Sequence, residues 1–177
     1  MNSILRKVTF SPGEADEIEK DPEWLVANGL GGYASGTVSG TARRRYHGLL
    51  IAALPAPLGR VLMLNGLADE LHLSDGRVVE LNAMQSEERN TSNPLAPVLS
   101  EFRLDMGLPI WRYQIDDVVL EKRLYLPYRQ NTVHITYRSL SHAGIIRIRF
   151  SGLKRKAPLS HASGTPMRAK SDLNLRA

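Results

Sequence analysis

The chain has 177 residues, no cysteine and a formal net charge of +5. This length suffices for one domain with its own core, and the apolar and charged fractions are those of a globular protein. Without cysteine, the chain can form no disulfide, no cysteine-ligated zinc or iron–sulfur centre and no cysteine nucleophile.

The ends of the chain and its apolar runs bear on its compartment. The opening residues, MNSILRKVTF, contain no apolar core of signal-peptide length, and the longest apolar run, Gly48–Leu58, is broken by two prolines. The absence of cysteine fits a reducing compartment. We therefore expect a cytoplasmic protein that has no membrane partner.

Short segments that alternate between apolar and polar residues recur along the chain, with turn residues between them. Period-two alternation rich in β-branched and aromatic residues predicts strands. An apolar strand follows His47, and Asn65-Gly66 predicts a hairpin between its two flanking strands. The further predicted strands are Val61–Leu64, Leu67–Leu73, Arg77–Leu81, Glu101–Met106, Ile110–Ile115, Val118–Leu126, Asn131–Arg138 and Gly144–Phe150.

These strands predict an all-β fold, an antiparallel β-sandwich with little helix, over residues 1–150. Asp16–Lys20 is long enough for only a turn or two of helix. Ser86–Pro97 contains two prolines and a run of Asn, Thr and Ser, which predicts a long loop. Residues 151–177 lose the alternation, and we expect a basic, loop-like or frayed end there.

Nucleic acid is an improbable partner for this basic end. Residues 138–177 hold 9 of the 23 basic residues and only Asp172 among the acidic ones. No aromatic residue follows Phe150, however, so a base-stacking platform is missing. A solvated tail is the favoured interpretation, and an anion or nucleic-acid binder that also uses Arg43–Arg45 is a lesser alternative.

One segment, Glu23–Ala53, carries the features that suggest function. Its sequence is EWLVANGLGGYASGTVSGTARRRYHGLLIAA, in which a glycine-rich loop ends in three arginines, a tyrosine and a histidine. No lysine-serine pair and no Rossmann-type acidic residue follow the glycines, so a nucleotide site is improbable and no cofactor is expected. The glycines indicate either tight turns between strands or a close approach to a ligand or a second domain.

The residues that end this loop have two interpretations. In a strand, Arg43, Arg45 and His47 would share one side, and Arg44 and Tyr46 the other. Arginine forks bind carboxylates and hydroxyls, and a histidine can serve as an acid–base group or as a structural hydrogen-bonding group. A metal site is not expected, because the other four histidines lack ligand spacing: His72, His134, His142 and His161.

The aromatic and acidic residues remain open in role. Trp24 and Tyr33 could stack on the apolar face of a sugar, although core packing is favoured for Trp24. No acid pair of the kind that glycosidases use stands out, so no catalytic residue is predicted. The candidates all lie at apparent strand ends or in turns, and only the Glu87-Glu88 pair is suggestively placed: Glu23, Asp69, Glu70, Glu87, Glu88, Asp116 and Asp117.

The segment Glu23–Ala53 closely resembles the N-terminal signature of bacterial and archaeal glycogen debranching enzymes, the amylo-α-1,6-glucosidase family. Weaker similarity continues through Asn65-Gly66, Glu121-Lys122 and Asn131–Val133. The resemblance implies a β-sandwich domain that precedes a catalytic (α/α)6 barrel, which this chain is too short to contain. It also implies a role in lining the sugar cleft or in contacting the barrel for Trp24, Asn28, Gly31, Gly32, Tyr33, Ser35, Arg44, Arg45, Tyr46 and His47.

Two further expectations follow from this resemblance. The chain would be an accessory domain of a glycoside hydrolase and inactive alone, with glycogen or another α-glucan and the barrel as its partners. Alternatively, it would be an independent α-glucan-binding module. A sandwich that normally packs against a barrel would expose apolar surface, so we expect self-association of the isolated domain.

Overall fold

The computed structural model describes residues 6–9, 22–40, 42–81, 99–141 and 147–153. The described residues form twelve β-strands and no helix, so the prediction of an antiparallel all-β sandwich is confirmed. In chain order the strands are β1 (Arg6–Thr9), β2 (Glu23–Ala27), β3 (Tyr33–Thr37), β4 (Gly48–Ala53), β5 (Arg60–Leu64), β6 (Gly66–His72), β7 (Val78–Glu80), β8 (Leu99–Asp105), β9 (Leu108–Ile115), β10 (Val118–Tyr125), β11 (His134–Ser139) and β12 (Arg147–Leu153).

The strands form three antiparallel sheets. Five strands pair in the order β1-β8-β9-β10-β11, four in the order β2-β3-β4-β5, and three in the order β12-β6-β7. Strands β8, β9 and β10 form a meander with two tight connections, because Gly107 and Asp116 adopt the positive φ that such turns need. The four-stranded sheet contains the whole of Glu23–Ala53 outside its loops.

The core lies between the inner faces of these sheets. Alternate residues of β2 and β10 point into it, as the period-two pattern predicts. At its centre the rings of Trp24 and Trp111 meet edge to face at 5.3 Å, and the Phe102 ring lies 5.4 Å from that of Trp111. Aromatic pairs in this geometry add about 0.5–1.5 kcal/mol to the burial of their surface.

The hairpin predicted at Asn65-Gly66 is wrong. Strand β5 pairs with β4, whereas β6 pairs with β7 and β12 in a different sheet. A two-residue type I′ turn needs positive φ at both central residues, and neither Asn65 nor Gly66 has it. The backbone carbonyl of Asn65 instead accepts a hydrogen bond from the backbone N–H of Leu49, at 3.3 Å, so the chain stays extended as it passes between sheets.

The remaining predictions concern the end of the last strand and three segments that lie outside the described residues. Strand β12 continues to Leu153, three residues beyond the predicted loss of strand character. The short helical turn at Asp16–Lys20, the long loop at Ser86–Pro97 and the remainder of the basic end lie outside the described residues.

Candidate functional site

The segment Glu23–Ala53, here called the signature segment, forms three adjacent strands of one sheet. β2 pairs with β3 along its full length, and β3 pairs with β4 across a register shift between Tyr33 and Ser35. The glycine-rich stretch is therefore two connections with a strand between them, and not one long loop. Its residues must accordingly be divided into those that face the core and those that face outward.

Trp24 belongs to the core. Its side chain is buried, and the indole Nε1–H donates a hydrogen bond to the backbone carbonyl of Thr37 at 3.0 Å. Gly36 lies opposite in the register, and a Cβ there would stand 3.3 Å from the indole ring. The indole thus packs on a glycine of the signature segment, which agrees with the favoured core interpretation and leaves its ring closed to a ligand.

Asn28 is fully buried at the turn between β2 and β3, and both ends of its amide are used. Its Oδ1 accepts hydrogen bonds from the backbone N–H groups of Leu30 at 2.9 Å and Gly32 at 3.0 Å. Its Nδ2 donates to the backbone carbonyl of Gln130 at 2.9 Å and to Oδ1 of Asn131 at 3.1 Å. Asn28 therefore shapes its own turn and ties that turn to the connection between β10 and β11.

Asn131 extends this network to β4. Its Nδ2 donates to the carbonyl of Ala53 at 2.8 Å, and its Oδ1 accepts the N–H of Ala53 at 3.1 Å. Gly32 lies against both amides, because a Cβ at that position would stand 2.7 Å from Nδ2 of Asn28 and 3.0 Å from the carbonyl oxygen of Ile51. Gly32 is therefore required because no side chain would fit at this position.

The outward side of the sheet carries Tyr33, Ser35 and Tyr46. The guanidinium of Arg60 lies over the Tyr33 ring at 5.9 Å, and its Nε donates to the carbonyl of Gly31 at 2.9 Å. The hydroxyl of Ser35 donates to the carbonyl of Tyr46 at 3.1 Å. The Arg60 contacts hold the connection before β3, and the Ser35 bond holds the loop after β3 against the outer face of the sheet.

Arg43 to His47 form an irregular loop, so the alternation of sides expected for a strand is wrong there. β4 begins only at Gly48, and the backbone N–H of His47 bonds the carbonyl of Arg44 at 3.1 Å. Arg45 is exposed, and its guanidinium lies 5.6 Å from the centre of the neighbouring Tyr46 ring. The loop therefore presents its arginines to solvent on a tightly turned backbone.

His47 is the buried residue of this loop. Its Nδ1 accepts a hydrogen bond from the backbone N–H of Arg43 at 3.3 Å, which places the proton of a neutral imidazole on Nε2. Nε2 lies 3.7 Å from Oε1 of Glu23. The hydrogen bond from Arg43 to Nδ1 therefore supports a structural role for His47.

Arg44 and Glu23 form an exposed ion pair beside this histidine. The Nε of Arg44 lies 2.7 Å from Oε1 of Glu23. This hydrogen bond lowers the pKa of the Glu23 carboxyl below its usual range, and it raises the pKa of the Arg44 guanidinium. The carboxylate is therefore held ionised, which is the opposite of what a general acid requires.

A small cavity lies on the inner side of the signature segment. Its volume is about 50 Å³, and it is lined by Trp24, Val38, His47, Asn65, Trp111 and Lys122, among others. A water needs roughly 10–15 Å³ by this measure, so the cavity suits a few waters and not a sugar ring. This cavity therefore offers no room for a glucan.

A buried ion pair, missed by sequence reasoning, lies next to this cavity. Asp69 is 1% exposed in the middle of β6, and its Oδ2 contacts Nζ of Lys122. Nζ also lies 5.7 Å from the centre of the Trp111 ring and 5.6 Å from that of Tyr137. The expectation that Asp69 lies at a strand end or in a turn is therefore wrong, and Lys122 between the buried Leu120 and Leu124 is the signal that could have found the pair.

The same pair acts on two buried tyrosines. Burial raises the pKa of Tyr113 well above its ordinary value, and the negative charge of Asp69 raises it further. Burial is also the largest cause for Tyr137, whose pKa rises well above the usual range beside Asp69. Both phenols are thus kept neutral in the core.

The remaining candidates are dispersed. His134 stacks on Tyr125 with ring centres 4.7 Å apart, and His72 lies 3.5 Å from a carboxylate oxygen of Glu70. Over the described ranges, no three His, Asp or Glu side chains are grouped so that they could hold a metal ion. The Glu87-Glu88 pair lies outside the described residues.

These features define an antiparallel β-sandwich domain whose most distinctive segment is divided between the core and one outer sheet face. A scan of protein families matches residues 22–169 to the family described as glycogen debranching enzyme N terminal. The match covers most of the chain, so the chain belongs to this family, as the signature segment predicts. Comparisons with curated proteins and with solved structures find no match. In the described part of the chain, no helix has the length and apolar character needed to cross a membrane.

Proposed function

We propose that this chain is an accessory domain of a glycogen debranching enzyme, acts in the cytoplasm, and does not hydrolyse α-1,6-linked glucose by itself. The observation that carries the proposal is the family match over residues 22–169, which begins one residue before β2 and includes every strand after it. Hydrolysis would then belong to the (α/α)6 barrel that the resemblance implies.

The state of the carboxylates supports an accessory role. Glycosidases need one carboxylic acid that stays protonated near neutral pH and a second carboxylate at a set distance. Here Glu23 is paired with Arg44, Asp69 with Lys122, and Arg103 bridges two glutamates. Ion pairs favour the charged carboxylate, so these side chains are suited to structure and not to proton donation.

The second element of the proposal is a contact role for the outer face of the four-stranded sheet. We define this outer sheet face by Leu25, Tyr33, Ser35, Tyr46 and the arginines beside them. Leu25 is 62% exposed and Tyr46 is 51% exposed, and tyrosine and arginine are enriched at protein interfaces. We propose that this face packs against the catalytic barrel or lines its sugar cleft.

An assay with glycogen limit dextrin tests the accessory role. The purified chain should release no glucose above a mock preparation made from cells that lack it. Release that follows the chain through successive purification steps would overturn the proposal. The assay does not depend on whether the chain binds sugar, since binding without hydrolysis leaves the glucose reading at zero.

Independent recognition of α-glucan is the second candidate. Trp24 and Tyr33 were the candidates for stacking on a sugar, but Trp24 is buried and Tyr33 is covered in part by Arg60. A different residue, Tyr128, has the exposure that such a role requires.

A further inference from the structure

Tyr128 is the most exposed aromatic residue among those described. It lies in the connection between β10 and β11 and is 77% exposed, and one edge of its ring lies against Gly29. A Cβ at Gly29 would stand 2.5 Å from Cε2 and 2.9 Å from Cδ2 of that ring. The absence of a side chain at Gly29 therefore leaves space for the edge of a tyrosine ring that is otherwise open to solvent.

The connection that carries Tyr128 is fixed on both sides of the ring. The backbone N–H of Arg129 bonds the carbonyl of Asn28 at 2.6 Å, and Nδ2 of Asn28 bonds the carbonyl of Gln130 at 2.9 Å. Asn131 then holds both backbone groups of Ala53. A loop backbone held in this way loses little conformational entropy when a ligand binds beside it.

The surroundings of the ring combine apolar surface with hydrogen-bonding groups. Leu30 follows Gly29 in the chain and is partly exposed, and the side chains of Arg129 and Gln130 are exposed next to the tyrosine. An open aromatic face with guanidinium and amide groups nearby is complementary to a pyranose, which presents an apolar ring face and hydroxyls at its rim. A single ring of this kind is too small for a stable protein interface, which buries about 800 Å² on each partner.

We propose that Tyr128, whose ring edge lies against Gly29, is a sugar-binding platform that stacks an open face of its ring against a glucose unit of an α-glucan. The identity of the sugar rests on the proposed function, whereas the platform itself rests on the geometry of Tyr128. The site lies at the turn between β2 and β3, separate from the arginine loop at Arg43–Tyr46, and it would hold a glucan chain without hydrolysing it.

Titration of the purified chain with maltoheptaose, followed by NMR, tests the proposal. We expect the Tyr128 ring signals to shift at millimolar sugar, and Tyr128→Ala to weaken binding roughly tenfold, the change that about 1.4 kcal/mol produces. Tyr128→Trp should retain binding, because it keeps a stacking face. Tyr125→Ala is the matched control, since the Tyr125 ring is already stacked on His134, and it should bind as the unchanged chain does.

Several outcomes would overturn the platform. They are no shift at any signal, a shift that survives Tyr128→Ala in a chain with an unchanged unfolding midpoint, or a Tyr128 shift caused by a single-stranded oligonucleotide but not by maltoheptaose. None of them touches the accessory role, which the limit-dextrin assay decides separately. Glucose release in that assay would remove the accessory role while a Tyr128-dependent shift still supported the platform.

Discussion

The two ends of the signature segment use their polar side chains in opposite ways. Around Asn28, the amide makes four hydrogen bonds and is fully buried, and the neighbouring Gly32 leaves no space for a Cβ. Around Arg45, the side chains of Arg43 to Tyr46 are exposed. A segment that looks uniformly functional in sequence is therefore scaffold at one end and available surface at the other.

Asn28→Ala should have the largest effect on this comparison. It leaves the buried N–H of Gly32 and the carbonyl of Gln130 without their partner, and each unsatisfied buried group costs about 1–3 kcal/mol. We expect a loss of about 3 kcal/mol in the free energy of unfolding, measured by urea denaturation. Arg45→Ala is the matched change at the exposed end and should leave the transition unchanged. Equal losses in the two variants would remove the distinction.

Gly32→Ala should come next. The added methyl meets the carbonyl oxygen of Ile51 and the two asparagine amides, and overpacking of this kind costs roughly 1–3 kcal/mol. Gly36→Ala should cost less, because the nearest atom to its methyl would be 3.3 Å away, in the Trp24 ring, whereas at Gly32 it would be 2.7 Å away. Thermal unfolding of both variants measures the order. A Gly36→Ala variant that is the less stable of the two would contradict the space argument at Gly32.

The buried tyrosines predict a dependence on alkaline pH. Because the folded-state pKa of Tyr113 and Tyr137 is raised, their contribution to stability is complete below the unfolded pKa of about 10 and is lost as pH rises above it. Urea midpoints should fall above pH 10, and Tyr113→Phe should fall less steeply than the unchanged chain. A midpoint that is flat between pH 9 and about 11 would exclude this contribution.

The smallest effect on stability is expected at the outer sheet face. Tyr46→Asp and Leu25→Asp should leave the unfolding midpoint nearly unchanged but should reduce self-association in light scattering at high concentration. Met106→Asp is the control, since Met106 is 87% exposed in the turn between β8 and β9, in another sheet. A strictly monomeric chain before any substitution would contradict the contact role proposed for this face.

Local patterns predicted most of the described strands because alternation and burial share the same period. β9 and β10 follow their apolar residues closely. The prediction of a hairpin at Asn65-Gly66 failed because the dipeptide carries no information on which sheet the next strand joins. The strand-like alternation expected at Arg43–His47 was wrong because the residues there are polar. No apolar face packs against the core to keep the backbone extended.

The candidate site shows the same limit at longer range. Asn28 was identified with the signature segment, but its partners at Gln130 and Asn131 lie 102 and 103 residues away, and no local pattern joins them. Tyr128 was missed because it lies outside the signature segment, and no local pattern joins it to Gly29. The Asp69–Lys122 pair was missed in the same way, across 53 residues.

Asn131 joins the two larger sheets of this domain, because it lies in the connection between β10 and β11 and bonds the last residue of β4. Pairing between β3 and β4 stops at Tyr33 and Ile51, at the beginning of β3. By bonding both the N–H and the carbonyl of Ala53, the Asn131 amide takes the place of one peptide unit that would precede β3. The result is a non-covalent crosslink between positions 78 residues apart. In a chain without cysteine, this fastening is insensitive to reductants, and it can reopen and reclose without chemistry.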